Sequence, residues 1–240
     1  MQYYILASGS KGNCSLIRNH DTMIIIDCGT NWKYLSQEFH KNDLDYNSAD
    51  GVLITHGHND HIKSLKNLKH LKRYGNLIDS DITSLEYYQQ FNIGSFRITP
   101  LALSHDSDNT TGYVIEDELE KLVFITDTGY LHQRNYQYIN NADYFIIESN
   151  YDPETLLNTS RPKFLKDRIL SDNGHLSNND CCSILEEVVG TTTKEIVLAH
   201  LSQEANTQEL AYNCLINSEV DTDNIIIKIA QQFETIKGGK

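Results

Sequence analysis

Short apolar runs separated by polar clusters recur along the whole chain, and the spacing within them distinguishes strands from helices. Met23-Ile24-Ile25-Ile26 is apolar without interruption, as a strand covered on both faces must be. With Cys14 to Arg18 it predicts a pair around the turn Asn19-His20-Asp21, after a first strand over Tyr3 to Ala7. Further strands are expected at Val52 to Ile54, Phe96 to Leu103, Tyr113 to Ile115 and Leu122 to Thr126. Tyr144 to Ile147, Glu195 to Ala199 and a last strand over Asn224 to Ala230 complete the set.

Helices are expected where a capping residue precedes apolar positions three or four apart. Thr30 or Asn31 starts one that runs to about His40, and Ile62, Leu65, Leu68 and Leu71 mark a second, amphipathic one. Ile82 to Gln90 reads as another, begun by Thr83 or Ser84. Pro153 to Leu170 is helical with a break at Pro162. Ser177-Asn178-Asn179-Asp180 is an S-x-x-D cap for a helix through Val189, and about Thr207 to Ile216 forms the last helix. The tail Lys237-Gly238-Gly239-Lys240 is expected to fray.

Strands and helices alternate, yet hairpin-like strand pairs occur in both halves. That combination predicts a layered α/β sandwich of mixed sheets rather than a doubly wound parallel sheet. With no linker and no short repeat, residues 1–240 are expected to form a single domain. The polar residues are more telling. Asp27, His56, His105, Asp127, Glu148 and His200 each stand just after an apolar strand, so one edge of the sheets should collect them from distant parts of the chain.

Composition narrows the function. The net charge of −13 argues against gripping nucleic acid through a broad basic face, although bound divalent cations would invert the local potential. The five cysteines have no C-x-x-C spacing and read as reduced, buried thiols. No signal peptide and no membrane-length apolar run is visible, so the chain is expected to be cytoplasmic and without a membrane partner.

The chemistry concentrates in Thr55-His56-Gly57-His58-Asn59-Asp60-His61, where three histidines and a carboxylate fall within six residues behind a buried strand. Imidazole and carboxylate suit zinc, manganese or iron. Four such groups exceed what one tetrahedral site can easily use, so two metals are expected. A solvated polar loop is the alternative, and so many donors directly behind a strand argue against it. His20, His40, His70 and His132 read as surface or structural.

The H-x-H-x-D-H run, followed in order by His105, Asp127 and His200, resembles the metallo-β-lactamase fold superfamily over almost the whole chain. The resemblance implies a four-layered αββα sandwich holding two divalent metals, zinc or manganese. It assigns His56, His58 and His105 to one metal and Asp60, His61 and His200 to the other. Asp127 would bridge them, and Asp27 would orient the cluster from behind. A closer likeness is to the YycJ/WalJ-like branch, which is associated with nuclease activity. It is carried by Ser8 to Asn13, Asp27-Cys28-Gly29, Ser104-His105-Asp106, Glu148-Ser149-Asn150, Arg168 to Asp172, Gly174 to Asn178 and Ala199 to Ser202. Tyr151-Asp152 departs from that branch, where His-Asp is expected. A more distant likeness to ribonuclease Z pairs Glu148 with His175 as proton donor.

The expected function is therefore a dinuclear metal-dependent phosphodiesterase or exonuclease on single-stranded nucleic acid, with DNA favoured. Asp60, His175 and Glu148 are the candidate catalytic groups. A hydrolase of a small ester, thioester or cyclic phosphodiester is the alternative, which the acidic charge would suit. A catalytically silent binding protein is disfavoured, because every expected ligand is present.

Overall fold

The computed structural model describes residues 1–239 and contains two facing seven-stranded sheets. The first holds β1 (Gln2–Ala7), β2 (Cys14–Arg18), β3 (Met23–Ile26), β4 (Gly51–Leu53), β5 (Arg73–Tyr74) and β6 (Ile82–Thr83) in sequence order. The second holds β7 (Phe91–Ile93), β8 (Phe96–Ala102), β9 (Thr111–Glu116), β10 (Lys121–Ile125), β11 (Tyr144–Glu148), β12 (Glu195–Ala199) and β13 (Ile226–Ile229). A final strand, β14 (Ile236–Gly239), returns to the first sheet beside β1. Each sheet is antiparallel through one half and parallel through the other, changing over at β3/β4 and at β10/β11. Parallel neighbours end on the same side. The carboxyl ends of β3, β4, β10, β11 and β12 therefore share one rim, where the sequence places its polar residues.

The helices are α1 (Trp32–Lys41), α2 (Asn59–Ile62), α3 (Tyr136–Ile139), α4 (Pro153–Asn158), α5 (Lys163–Ile169), α6 (Asn178–Val188) and α7 (Gln208–Ile216). Strand periodicity explains how they layer. Ile24 and Ile26 point between the sheets, against Phe96, Ile98 and Tyr113. Ile25 points the other way, to Leu35 and Phe39 of α1. On the far side, Phe145 and Ile147 of β11 meet Leu185 of α6 and Leu215 of α7. The result is the four-layered αββα sandwich. Of the two candidate caps for the first helix Asn31 serves, accepting from Tyr34 N, and Ser177 forms the expected capping box with Asp180, while Thr207 caps the last helix by accepting from Leu210 N. Pro162 separates α4 from α5 as expected. Among the described residues no helix is long and apolar enough to cross a membrane.

Three expectations require correction. Ile82 to Gln90 is not helical. Ile82-Thr83 extends the first sheet beside β5, and Tyr88 takes φ 68° while its N–H donates to Pro100 O at 2.7 Å. Its ring stacks on Tyr138 with centroids 5.3 Å apart, so sheet pairing and aromatic docking override a weak helical propensity. The helix after His61 is α2 followed only by a 3₁₀ turn over Leu65–Leu68. Ser64 stops it, since its N–H donates to Cys28 O and its hydroxyl to Thr30 O, drawing the chain onto the loop after β3. Leu65 and Leu68 are nevertheless buried, as their spacing required. The third concerns the tail. Lys237, Gly238 and Gly239 pair with β1 rather than fray, and Lys240 lies outside the described residues.

That pairing is held by Glu195 at the start of β12. Its carboxylate accepts from Tyr3 Oη of β1, from Lys228 Nζ of β13 at 2.6 Å and from Gly239 N of β14 at 3.2 Å, joining the two sheets. Burial raises the Glu195 carboxyl, but Lys228 and Tyr3 outweigh it and bring it below its ordinary value. A depressed carboxylate stabilises the fold above its unfolded pKa, and that contribution fades as pH falls through the folded value. Glu195→Ala should leave the proton of the buried Tyr3 hydroxyl without its acceptor, at a cost of about 1–3 kcal/mol in urea unfolding at neutral pH. The difference from wild type should narrow in acid. A midpoint unchanged at neutral pH would show that Glu195 does not hold the sheets together.

Candidate metal centre

Asp27 and His200 directly follow β3 and β12, Asp127 lies two residues beyond β10, and all three adopt left-handed backbone angles, with φ of 59°, 56° and 61° for Asp27, His200 and Asp127. Non-glycine residues reach this region at a cost, and it turns the chain sharply out of the strand. Their side chains thereby enter the rim between the sheets. The loop from Thr55 to His61 approaches the same rim from β4, and His105 approaches it from β8.

Each ring is oriented from behind. Asp27 is buried and accepts from Thr55 N at 2.9 Å, Thr55 Oγ1 at 2.7 Å and His61 Nδ1 at 2.7 Å. Because the Thr55 hydroxyl gives its proton to Asp27, it can only accept from His56 Nδ1, at 3.1 Å. His105 Nδ1 donates to Gly174 O at 2.9 Å, and His200 Nδ1 donates to Glu148 Oε1 at 2.8 Å. With Nδ1 engaged, the Nε2 atoms of His56, His61, His105 and His200 are left for the centre.

The donor atoms fall into overlapping groups in which all lie within 4.8 Å of one another: His56, His58 and His105; Asp60, His61 and His200; His56, His61 and Asp127; and Asp127, Glu148, His175 and His200. His56 Nε2, Asp127 Oδ2 and His200 Nε2 are buried with no hydrogen-bond partner. Three convergent orphaned atoms of this kind would be costly unless a cation satisfied them, so the residues fit a metal site.

Electrostatics divides the cluster. Burial and the neighbouring His61 push His56 down to about 2. Burial also lowers His105, against the pull of Asp127. Burial opposes the charged forms of His61 and His200 too, but carboxylates outweigh it. Asp27 and Asp127 raise His61, while Asp127 and Glu148 raise His200 to about 9. Burial disfavours the Asp127 anion, yet His200 and His61 hold its carboxyl well below the usual range. Burial thus favours the neutral, metal-binding form at His56 and His105, while the carboxylates beside His61 and His200 favour their charged forms.

Glu148 serves two histidines. The sequence predicted its pairing with His175, and the structure places His175 Nδ1 2.8 Å from Glu148 Oε1, the same oxygen that accepts from His200. Glu148 Oε2 accepts from Thr128 N and Leu176 N. Burial raises its carboxyl, but His175 and His200 outweigh that and bring it to about 2. His70 is exposed and His132 caps a 3₁₀ turn, as expected of surface and structural residues. Tyr151 is buried against Leu156, Ile169 and Ala205, which accounts for an aromatic residue there.

Sequence reasoning did not assign several residues that build the site. Asn13 Nδ2 lies 2.9 Å from His61 Nε2. Asp106 Oδ1 lies 3.1 Å from His105 Nε2 and 3.8 Å from His58 Nε2, while its Oδ2 accepts from Arg168 Nη2 at 2.5 Å. The motifs Ser8 to Asn13 and Arg168 to Asp172 contained a signal, but it named segments rather than contacts.

A family model described as a β-lactamase superfamily domain matches residues 22–201. A protein named exodeoxyribonuclease YycJ, from Bacillus anthracis, is 33% identical over 227 residues, covering 88% of this chain and 86% of its own. Another, named exodeoxyribonuclease WalJ, from Streptococcus pneumoniae, is 32% identical over 240 residues, covering 92% and 89%. Among solved structures, the metallo-β-lactamase fold protein YhfI from Bacillus subtilis superposes with a TM-score of 0.71. It is 19% identical and covers 98% of this chain and 99% of its own.

Gly29 tests how the centre is braced. It abuts the backbone that carries Asp60 and His61, and a Cβ there would lie 1.5 Å from Asp60 O. Asn13 N donates to Asp60 O and Cys28 N donates to His61 O, each at 2.8 Å, so this backbone is clamped between two loops. Gly29→Ala should displace Asp60 and His61 and reduce bound metal by half or more, with the circular dichroism spectrum retained. Metal content equal to wild type would show that the clamp does not position these side chains.

Proposed function

The chain belongs to the YycJ/WalJ-like branch of the metallo-β-lactamase fold superfamily and is a metal-dependent hydrolase, and we propose that it cuts nucleic-acid phosphodiesters as an exonuclease on single-stranded DNA. The observation that carries this reading is the Glu148–His175 pair beside the donor cluster. Two relatives named exodeoxyribonuclease, each aligned over most of this chain, support DNA as substrate.

His56, His58 and His105 would hold one divalent ion, and Asp60, His61 and His200 a second, with Asp127 between them. Zinc or manganese ions there would supply Lewis acidity, neutralising phosphodiester charge and acidifying water near neutral pH. The remaining requirement falls on the chain itself. Breaking a phosphodiester expels an alkoxide, a poor leaving group until it is protonated. His175 is the residue we assign to that proton. Its Nδ1 is committed to Glu148, so the exchangeable proton is carried on Nε2. Its ring lies 5.0 Å from that of His105 and 5.4 Å from that of His200, centroid to centroid, and therefore borders both donor groups. Glu148, kept an anion by His175 and His200 and accepting from two backbone N–H groups, fixes the tautomer and ring direction.

Two experiments test the reading. Reconstituted protein should contain two metals per chain by elemental analysis. His58→Ala should lose one of them, while His70→Ala, on the exposed side of the fold, should keep both. A wild-type value of one would overturn the dinuclear assignment. His175→Ala should fold and keep its metals, yet cleave an oligonucleotide ~10²–10⁴-fold more slowly. A nitrophenyl phosphodiester, whose leaving group needs no proton, should suffer far less. Equal losses on both substrates would make His175 a substrate-positioning group instead.

A further inference from the structure

We propose that α5 carries a nucleobase platform at the mouth of the centre, with Phe164 stacking on a base of the strand being cut and Lys163 and Arg168 meeting its phosphates. The proposal rests on the nuclease reading above and goes further, naming where the strand lies.

Phe164 is 74% exposed, although α5 has an apolar side to bury. That side is used by Ile169, which is buried with Tyr151, Leu156 and Ala205, and by Leu165, which packs against the same cluster. Phe164 is left out of it. A single exposed aromatic is ordinary, but this one has particular neighbours. Residues four apart share a helix face, so Phe164 and Arg168 lie on one stripe of α5. Arg168 is the residue whose Nη2 meets Asp106, and Asp106 in turn touches His105 and His58. The stripe therefore begins at the metal ligands and runs outward, with Phe164 one turn away.

The charge on this segment is opposite to that of the chain. Arg161, Lys163, Lys166 and Arg168 face only Asp167 among residues 161–168, within a protein of net charge −13. Three of these cations already have partners: Arg161 pairs with Glu204, Arg168 with Asp106, and Lys166 Nζ donates to the carbonyls of Leu157 and Thr159. Lys163 is exposed, and the Arg168 side chain is 52% exposed beyond its contact with Asp106. An aromatic face flanked by solvent-exposed cations is the combination with which single strands are held, because stacking accepts any base while the cations follow the backbone. It predicts affinity with little sequence preference.

The test uses the metal-loaded full chain and anisotropy with a labelled phosphorothioate oligothymidylate, which resists cleavage. Phe164→Ala should weaken binding about ten-fold, and Phe164→Trp should restore it. On an abasic strand of equal length, Phe164→Ala and wild type should bind alike. Lys163→Ala should flatten the slope of log affinity against log salt by about 0.7, a change Phe164→Ala should not produce. Unchanged affinity in Phe164→Ala, or an equal loss on the abasic strand, would overturn the platform while leaving the nuclease reading intact. Failure of the wild type itself to bind either strand would overturn both.

Discussion

One buried carboxylate in each sheet holds the centre together. Glu148, at the end of β11, has no exposed surface and receives His175, His200, Thr128 N and Leu176 N. Asp27, just beyond β3, receives His61, Thr55 Oγ1 and Thr55 N. A buried anion is tolerable only when its hydrogen bonds are complete, so each of these residues fixes every segment that serves it. The loops after β4, β10, β11 and β12 are all anchored in this way. The two sheets thus answer each other: a carboxylate at a strand end receives Nδ1 of a histidine and leaves Nε2 for the rim.

Backbone strain works in the same direction. Asp27, Asp127 and His200 each leave a parallel strand through a left-handed residue. Glycine would adopt these angles at lower cost, but it would bring no donor. Side-chain chemistry at these positions is therefore kept at some expense in local stability, and the hydrogen bonds to Asp27 and Glu148 offset it.

The acidic balance of the chain and a polyanionic substrate are compatible because charge acts locally. The cluster is built to receive cations, and α5 gathers basic residues beside it. On the proposed reading, a focused positive region on an acidic surface would admit a strand at one place and discourage it elsewhere. Asp106 lies where the two features meet, touching His105 on one side and Arg168 on the other.

The roles of His105, Asp127 and His200 came from the family resemblance, while local spacing was enough to read most strands, a helix start at Thr30 or Asn31, the cap at Ser177, the break at Pro162 and the H-x-H-x-D-H run. These are short-range properties. Alternation separates Ile25 from Ile24 and Ile26, and a polar residue directly behind an apolar strand must emerge at its end. Contacts that close over long separations were not legible. Nothing near Ile82 to Gln90 announces that β5 will offer it an edge, and nothing near Gly239 announces β1. The sharing of Glu148 between His175 and His200 brings together residues 27 and 52 positions away from it. Arg168 reaches Asp106 only because α5 packs across the rim. The sequence by itself determined which chemical groups stand at the strand ends. Which of them meet was decided by the folded chain, because a hydrogen-bond partner is chosen by proximity in space, and only tertiary packing creates that proximity.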